Sequence, residues 1–549
     1  MAISLDLQKE LAKQFKGEIS TDPKVLATYS HDASLFEVLP ALVVWPKDEA
    51  DIKALVDFVN KNKSDNPELA ITVRAAGTCM SGGAIGESIV ADTTKYMRGV
   101  FDLETGRATV LPGTFYRDFE VEAKKTGQML PSYTASKDLN AIGGMIGNNS
   151  GGEKNLRYGK TEKYVETLEV VLADGETYEI KALTKFELDQ QMNQDNFLGK
   201  IYREVFSLLE NNKAIIEKAR PRVSKNSAGY YLWNIWDGQT FNLNKLFTGA
   251  QGTLGIVTKA TLKLVPIEEK SELVVVFLSD VAQVAEIVNE ALVFAPDSIE
   301  SYDDKTMKLA LRFLPALAKK LKFGGLWKLG WSFWPEFKMA IRTGLPKLVL
   351  LVEFTGRADE DLNSKAGQFV QKMEAMGIKA HQTTGPAETE KYWTIRREAF
   401  SLLRQHLGKK RTAPFIDDII VEPAKMPEFL PKLRAILDEY NLFYTIAGHA
   451  GDGNFHIIPL MDMRNPKNVE IIIGLSDRVY DLVISFGGSI TAEHNDGIIR
   501  TPYLEKMYGP EIVRLFAELK QIFDPQNIFN PGKKVGGSKE YLKDHLARS

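Results

Sequence analysis

Between residues 73 and 86 the chain runs VRAAGTCMSGGAIG, and some sixty residues later, at 142–152, it runs IGGMIGNNSGG. Stretches this poor in large side chains cannot build a core. They can turn, or they can let backbone N–H groups close on an anion without side chains in the way. The first is not a Walker loop, because no Lys-Ser/Thr follows its glycines, and it is not GxGxxG. One such loop alone reads most simply as a tight turn. Two of them suit a long ligand with a pyrophosphate in its middle.

The segments around the loops alternate in type. DEADIKALVDFVNKN (48–62) has apolar positions at helical spacing, and ELAITVRAAG runs from a strand into the first loop. IVADTTKYM and RATVLPGTF read as short strands, and YRDFEVEAKKTG as a helix. GMIGNNSGG is too glycine-rich for regular structure. VETLEVVLADGETYEI predicts a hairpin turning at Asp174-Gly175. GTLGIVTKATLKLVP is a strand, and Pro266 closes this first unit. A second unit opens with SELVVVFLSD and the helix VAQVAEIVNEALVF, and LPKLVLLVEFTG with ADEDLNSKAGQFVQKMEAMG repeats the pair. Strand–helix–strand–helix predicts a sheet with helices on one face. PEIVRLFAELKQIFDP is an amphipathic helix stopped by Asp524-Pro525.

At 549 residues the chain is too long for one core, so two or more packed units are expected. Its single cysteine, Cys79, excludes an intrachain disulfide and a self-contained iron–sulfur cluster, and it fits a reducing, cytoplasmic compartment. The N-terminal MAISLDLQKELAKQFKGE lacks the apolar core of a signal peptide, and no stretch approaches the roughly 20 apolar residues of a membrane span. A net charge of −3 argues against a polyanion, and so against nucleic acid, as a partner of the whole surface. Residues 305–347 depart from that balance, with ten Lys/Arg against the single acid Glu336, and with Trp327, Trp331 and Trp334. Cations interleaved with Trp, Phe and Leu suit an interfacial membrane element on the inner membrane face. They equally suit an amphipathic insert packed on its own domain with lysines snorkelling outward.

AGHAGDGNFH (447–456) sets two of the chain's seven histidines seven positions apart around Asp452-Gly453, a hairpin turn signal. If TIAGH and NFHIIPL pair, His449 and His456 approach across the ladder at the about 4.5–5.5 Å of opposed Cβ atoms. That is close enough to share a metal, and GGSITAEHNDG (487–497) offers Glu493 and His494 as further donors. Paired hairpin histidines are more often structural, and His-His-carboxylate spacing alone is weakly specific.

VRAAGTCMSGGAIG, PSYTASKDLNAIGGMIGNNSGGEKNLRYG and TGAQGTLGIVTKATLKL, in this order and spacing, resemble the FAD-binding domain of the vanillyl-alcohol oxidase/p-cresol methylhydroxylase type. FDPQNIFNPGK resembles the closing segment of that superfamily. Within it, GHAGDGNFH and SITAEHNDG look like the metal segments of the FAD-linked D-2-hydroxyacid dehydrogenases and oxidases, the D-lactate dehydrogenase and glycolate oxidase flavoprotein type. The resemblance implies an α+β fold: a two-subdomain FAD-binding domain over 1–268, an α+β substrate domain over 269–490 with the basic insert, and a segment 491–549 returning to the first domain. It implies that the backbone of Ala75, Ala76, Gly77, Thr78, Cys79 and Met80, with Ser81, binds the FAD pyrophosphate. Pro131, Ser136, Gly143, Gly144, Gly147, Asn148, Ser150 and Gly151 would line the flavin and ribityl chain. Gly252, Gly255, Ile256 and Val257 would flank the adenosine, and Asn530 would approach the flavin ring. The first loop has no histidine, so FAD would be non-covalent. Four positions depart from the family: Gln251 for the usual Glu, Ala75 and Ala76 for Gly-Gly, and Asn495 for Gly.

By the same resemblance His449, His456 and Glu493 would hold a divalent metal. N2O ligation with open positions suits zinc or manganese. His494 would be the general base, and Arg396 in YWTIRREAF would bind the substrate carboxylate, against the plainer reading of a helix-surface arginine in ordinary ion pairs. KNSAGYYL puts Lys225 and Tyr230 near the flavin. Phe400 stands where 2-hydroxyglutarate enzymes use polar residues, which points to a smaller acid such as D-lactate. With no cluster cysteines, electrons would leave to an external quinone, cytochrome or electron-transfer flavoprotein. Alternatives are a glycolate or D-2-hydroxyglutarate dehydrogenase, an alkyl-dihydroxyacetonephosphate synthase-like flavoenzyme, and a non-catalytic flavoprotein subunit.

Overall fold

The computed structural model describes residues 3–312, 345–357, 360–406 and 410–548. Most of the basic, Trp-rich insert, residues 313–344, lies outside them. Among the described residues no helix is long and apolar enough to cross a membrane.

Three sheets organise the chain. The first has four strands in the order Glu18–Ser20, Leu42–Trp45, Ile89–Asp92, Ile71–Arg74, of which the last three are parallel. The crossover helix Glu49–Asn62 starts on an Asp48 side-chain cap and buries Ile52, Leu55, Val56 and Val59. The strand Ile71–Arg74 therefore ends at the carboxyl edge of a parallel sheet, the edge where open α/β sheets hold ligands. The second sheet has six antiparallel strands and includes the predicted hairpin, Val165–Val171 with Thr177–Thr184, turning through Gly175 at φ +79°.

The segment GMIGNNSGG (144–152), expected to be irregular for its glycines, is so only over 149–152. Ile142–Asn148 is a helix. Ile142, Met145 and Ile146 bury against the six-stranded sheet at i, i+3, i+4, and this packing outweighs glycine's poor helix propensity. Gly143 is required there, since a Cβ would stand 2.8 Å from that of Pro112.

The third sheet carries the hairpin histidines. Its main path is Lys379–Gln382, Lys270–Leu278, Leu348–Gly356, Ser298–Asp303, Phe443–His449, Asn454–Met461, Arg411–Thr412, antiparallel throughout. The expectation of helices on one face only is corrected. Val284–Val293, Leu362–Ala375 and Met426–Asp438 cover one face. On the other, Met307 of Asp304–Arg312 and Tyr392, Trp393 and Ile395 of Pro386–His406 pack on Leu273, Val275, Val349 and Leu351. The unbroken apolar runs LVVVFL and LVLLV are what a strand covered on both faces requires.

The C-terminal helix Pro510–Phe523 buries Leu515, Phe516, Leu519 and Phe523 in the core of the six-stranded sheet, and Ile528 and Phe529 complete the core of the first. The end of the chain thus closes over the sheets built at its beginning.

Candidate active site

The first small-residue loop leaves Arg74 at the carboxyl edge of the parallel sheet, with Gly77 at φ +67°. Ala75, Ala76, Gly77, Thr78 and Met80 are half-buried, whereas Cys79 and Ser81 are buried. Burial pushes the Cys79 thiol up, away from the thiolate form. The glycine helix faces this loop: a Cβ built on Gly144 stands 3.7 Å from that of Ala75, and one on Gly147 stands 3.9 Å from the Cα of Gln251. The glycine helix thus touches both the first loop and the Gln251 loop. Gly143, Gly144, Gly147, Asn148, Gly252 and Val257 are half-buried in the surrounding segments. A cradle of small residues whose backbone stays accessible fits a dinucleotide-like cofactor.

Two departures from the family pattern have physical reasons. Gln251 donates from Nε2 to Ser81 Oγ and Asn148 Oδ1, each at 3.2 Å, and accepts from Gly497 N at 2.8 Å. A carboxylate could not make those donations. Asn495 sits at φ +71°, where glycine is the usual solution and asparagine the tolerated one. Its amide donates to Gly249 O at 2.8 Å and Asn148 O at 3.3 Å, which ties the His494 loop to the glycine helix.

Other predicted cofactor residues are placed as follows. Pro131, Ser150, Gly151 and Gly255 are buried, and Ser136 shares a hydroxyl hydrogen bond with Thr134 at 2.9 Å. The Ile256 side chain packs into the core of the first sheet. Asn530 is fully buried, donating to Gln251 O at 2.7 Å and Gly83 O at 2.9 Å and accepting from Thr72 Oγ1 at 3.1 Å. Its amide joins three segments of protein.

The histidine hairpin forms, with two corrections. Its turn is not a two-residue Asp452-Gly453 connection: a 3-10 turn Ala450–Asp452 leads into Gly453 at φ +73°. The register pairs Ala447 with His456 and His449 with Asn454, so the histidines are diagonal rather than opposed. They share a face, and their rings meet edge-on at 5.2 Å. The His494 ring stacks on His456, also at 5.2 Å.

The nitrogens converge. His449 Nε2 lies 3.1 Å and His456 Nε2 3.5 Å from the same oxygen, Glu493 Oε1. Two imidazoles and a carboxylate aimed at one point form a donor set that fits zinc or manganese. Asp418, His456, Glu493 and His494 also offer ligand atoms within 4.8 Å of one another. Asp418 is committed elsewhere, because Oδ2 accepts from Thr491 Oγ1 at 2.6 Å and from the N–H groups of Ala492, Glu493 and His494 at 2.9, 2.9 and 2.7 Å. It shapes the loop that presents Glu493 and His494.

Supporting charges complete the cluster. Asp417 Oδ1 hydrogen-bonds His456 Nδ1 at 3.0 Å and fixes that ring, while its other oxygen lies 2.9 Å from His494 Nδ1 as an ion-pair contact without hydrogen-bond geometry. Lys225 lies 3.3 Å from both Glu493 and Asp452 and donates to Asn454 Oδ1 at 3.1 Å. Burial works against its charge, but the carboxylates of Asp452 and Glu493 outweigh it and hold the ammonium protonated. Burial likewise opposes a charge on His449, yet Glu300 and Glu493 push it up to about 9. His494 is pushed up to about 9 by Asp418 and Asp417 against the same burial. Burial raises the Glu493 carboxyl, and Lys225 and His449 overcome it to hold the group well below the usual range.

Arg396, on the helix Pro386–His406, is ion-paired with Glu300, Nε at 3.0 Å and Nη2 at 2.9 Å. Arg397 pairs instead with Glu153 and lies over the Trp393 ring. The sequence singled out neither Glu300, Asp417 nor Asp418, nor the pairing of Lys225 with Glu493. Two adjacent acids inside the apolar stretch FIDDIIV were the available signal; a lone acid in SIESYD was too weak to single out.

Two family models match the chain: the FAD binding domain over residues 40–181, and the C-terminal domain of FAD linked oxidases over residues 267–534. D-2-hydroxyglutarate dehydrogenase of Pseudomonas putida is 28% identical over 94% of this chain, which spans about half (50%) of that relative's length. D-lactate dehydrogenase of Archaeoglobus fulgidus is 26% identical over 90% of this chain and 91% of its own. p-Cresol methylhydroxylase with substrate bound shares the fold, with TM-score 0.67 at 15% identity over 98% of both chains.

Proposed function

Because the chain belongs to the FAD-linked oxidases, we propose that it oxidises a D-2-hydroxyacid to the 2-oxoacid, using FAD and a divalent metal. When bound, FAD would supply the hydride acceptor, and a metal held by His449, His456 and Glu493 would supply a Lewis acid for the substrate hydroxyl. The chain supplies placement and proton handling. Arg396 anchors the substrate carboxylate. In its neutral form, which a bound cation would favour by lowering the about 9 that Asp418 and Asp417 impose on the ring, His494 takes the hydroxyl proton on the nitrogen that does not face Asp417. Lys225 offsets the negative charge of Glu493 beside it. The buried surroundings keep water from competing for these groups.

What carries this reading is the convergence of His449 and His456 on Glu493 Oε1, with the His494 loop tied by Asn495 to the glycine helix of the cofactor cradle. Residues 1–268 with 491–549 are read as the flavin unit and 269–490 as the substrate unit. D-lactate is the favoured substrate, on the sequence argument from Phe400. Electrons pass to an external acceptor, and the insert 305–347 would bring the protein to the inner face of a membrane carrying a quinone.

The test is anaerobic bleaching of the purified flavoprotein by D-lactate, L-lactate, glycolate and D-2-hydroxyglutarate, each with and without a chelator. Bleaching by a D-acid that the chelator abolishes is expected, with His494→Ala retaining FAD and losing bleaching. A yellow protein bleached by none of the acids would refute the proposal.

A further inference from the structure

We propose that Glu300 is a positioning residue that ties the substrate-carboxylate anchor to the metal site through one carboxylate. Glu300 lies in the strand Ser298–Asp303, directly opposite His449 in the antiparallel register, so the two side chains leave the sheet together. Its carboxylate is 2% exposed, and its two oxygens have separate partners. Oε1 pairs with His449 Nδ1, and Oε2 takes Nε and Nη2 of Arg396. Binding at Nδ1 fixes the His449 ring with Nε2 toward Glu493 Oε1. A carboxylate on the far nitrogen orients a metal-binding imidazole and raises its basicity.

The other half of the bridge matters because Arg396 belongs to a different element. The helix Pro386–His406 packs on the outer face of the sheet through Tyr392, Trp393 and Ile395, and its Arg396 side chain is 15% exposed. A guanidinium this buried needs a counter-charge. Glu300 supplies it and sets where the guanidinium stands relative to the metal donors. The distance between carboxylate anchor and metal is thereby fixed by one side chain. That suits a ligand whose carboxylate and hydroxyl are on adjacent carbons. Glutamine has one oxygen where glutamate has two, so it can serve His449 or Arg396 and not both.

The Arg396 half rests on the function proposed above; the His449 half does not. The experiment therefore has two readouts on the purified FAD-loaded protein and its Glu300→Gln, Glu300→Ala, Arg396→Ala and Glu300→Ala/Arg396→Ala variants, all checked for FAD content and circular dichroism. The first is the Zn2+ dissociation constant by competition with a chelating dye, which needs no turnover. Glu300→Ala should weaken it about 10–100-fold, Glu300→Gln less, and Arg396→Ala less than twofold. The second is KM for D-lactate with Zn2+ saturating for every variant, so that metal loss does not enter it. Glu300→Ala and Arg396→Ala should each raise it, and the double variant no further than Arg396→Ala alone. Unchanged zinc affinity in a folded Glu300→Ala protein overturns the metal half, and KM effects that multiply overturn the anchor half. If the wild type oxidises no hydroxyacid, the functional proposal falls while the zinc titration still decides the role of Glu300 at His449.

Discussion

Asp418→Asn isolates the most concentrated hydrogen-bond acceptor in the site. Asp418 Oδ2 receives three consecutive backbone N–H groups and one hydroxyl, while Oδ1 receives Asn454 Nδ2 at 3.2 Å. The residue is fully buried at φ +68°, a backbone state that asparagine tolerates, so the substitution tests charge and not backbone strain. Burial alone would raise its carboxyl, but the charges of His494 and Arg500 help hold it below the usual range, which is why an ionised acceptor persists there. Hydrogen bonds to a charged group contribute about 1.5–3 kcal/mol each, but four on one oxygen do not add. Taking about 5 kcal/mol for the set, and about half of it for the charge assistance, the loss is about 2–3 kcal/mol. The amide nitrogen that asparagine introduces must also face the Asn454 amide, donor against donor, if the oxygen keeps the loop. At 1.4 kcal/mol per tenfold, local opening of residues 492–494 becomes about 30–150 times more frequent. Hydrogen–deuterium exchange on peptides spanning 491–495 reads this directly, with distant core strands as the control. Acceleration below about threefold would refute the claim that this carboxylate holds the loop.

Two further predictions concern stability. Burial pushes the Lys533 ammonium down to about 8 from its ordinary 10.5, despite the opposing pull of Asp32 and Glu87, and the Pro531 carbonyl that it donates to is 3.4 Å away. Between those pH values the unfolded chain binds more protons than the folded one, so stability from this group rises with pH. Lys533→Met should therefore be most advantageous below pH 8, and its advantage should shrink by about 3 kcal/mol by pH 10.5 in denaturant melts; parallel curves for the two proteins would contradict this. Gly453→Ala sets a Cβ at φ +73° only 1.9 Å from Val421 O, so the turn between His449 and His456 must move. A loss of about 2–4 kcal/mol and weaker Zn2+ binding are expected; unchanged zinc affinity would show that the turn does not set the ligand geometry.

The loops and donors were legible for different reasons. The small-residue stretches at 73–86 and 142–152 carry a constraint in their composition, and they pack against each other at Ala75 and Gly144. The glycine content of 142–152 nonetheless misled, because a helix needs only one apolar face, and Ile142, Met145 and Ile146 supply it. The hairpin was readable from Asp452-Gly453, while its register was not. Whether the histidines are opposed or diagonal depends on how many residues the turn spends, and a 3-10 turn spends more than an Asp-Gly pair suggests.

Local chemistry in the chain itself determined the residue types able to serve as cradle, donors and base, since backbone access and imidazole or carboxylate ligation are properties of single segments. The tertiary structure alone decided which charges support them. Glu300, Asp417, Asp418 and Lys225 come from segments more than thirty residues from the groups they hold. A buried carboxylate has no periodicity and no motif. Its role exists only because burial makes an unpaired charge costly, so the fold must bring each one a partner from elsewhere in the chain.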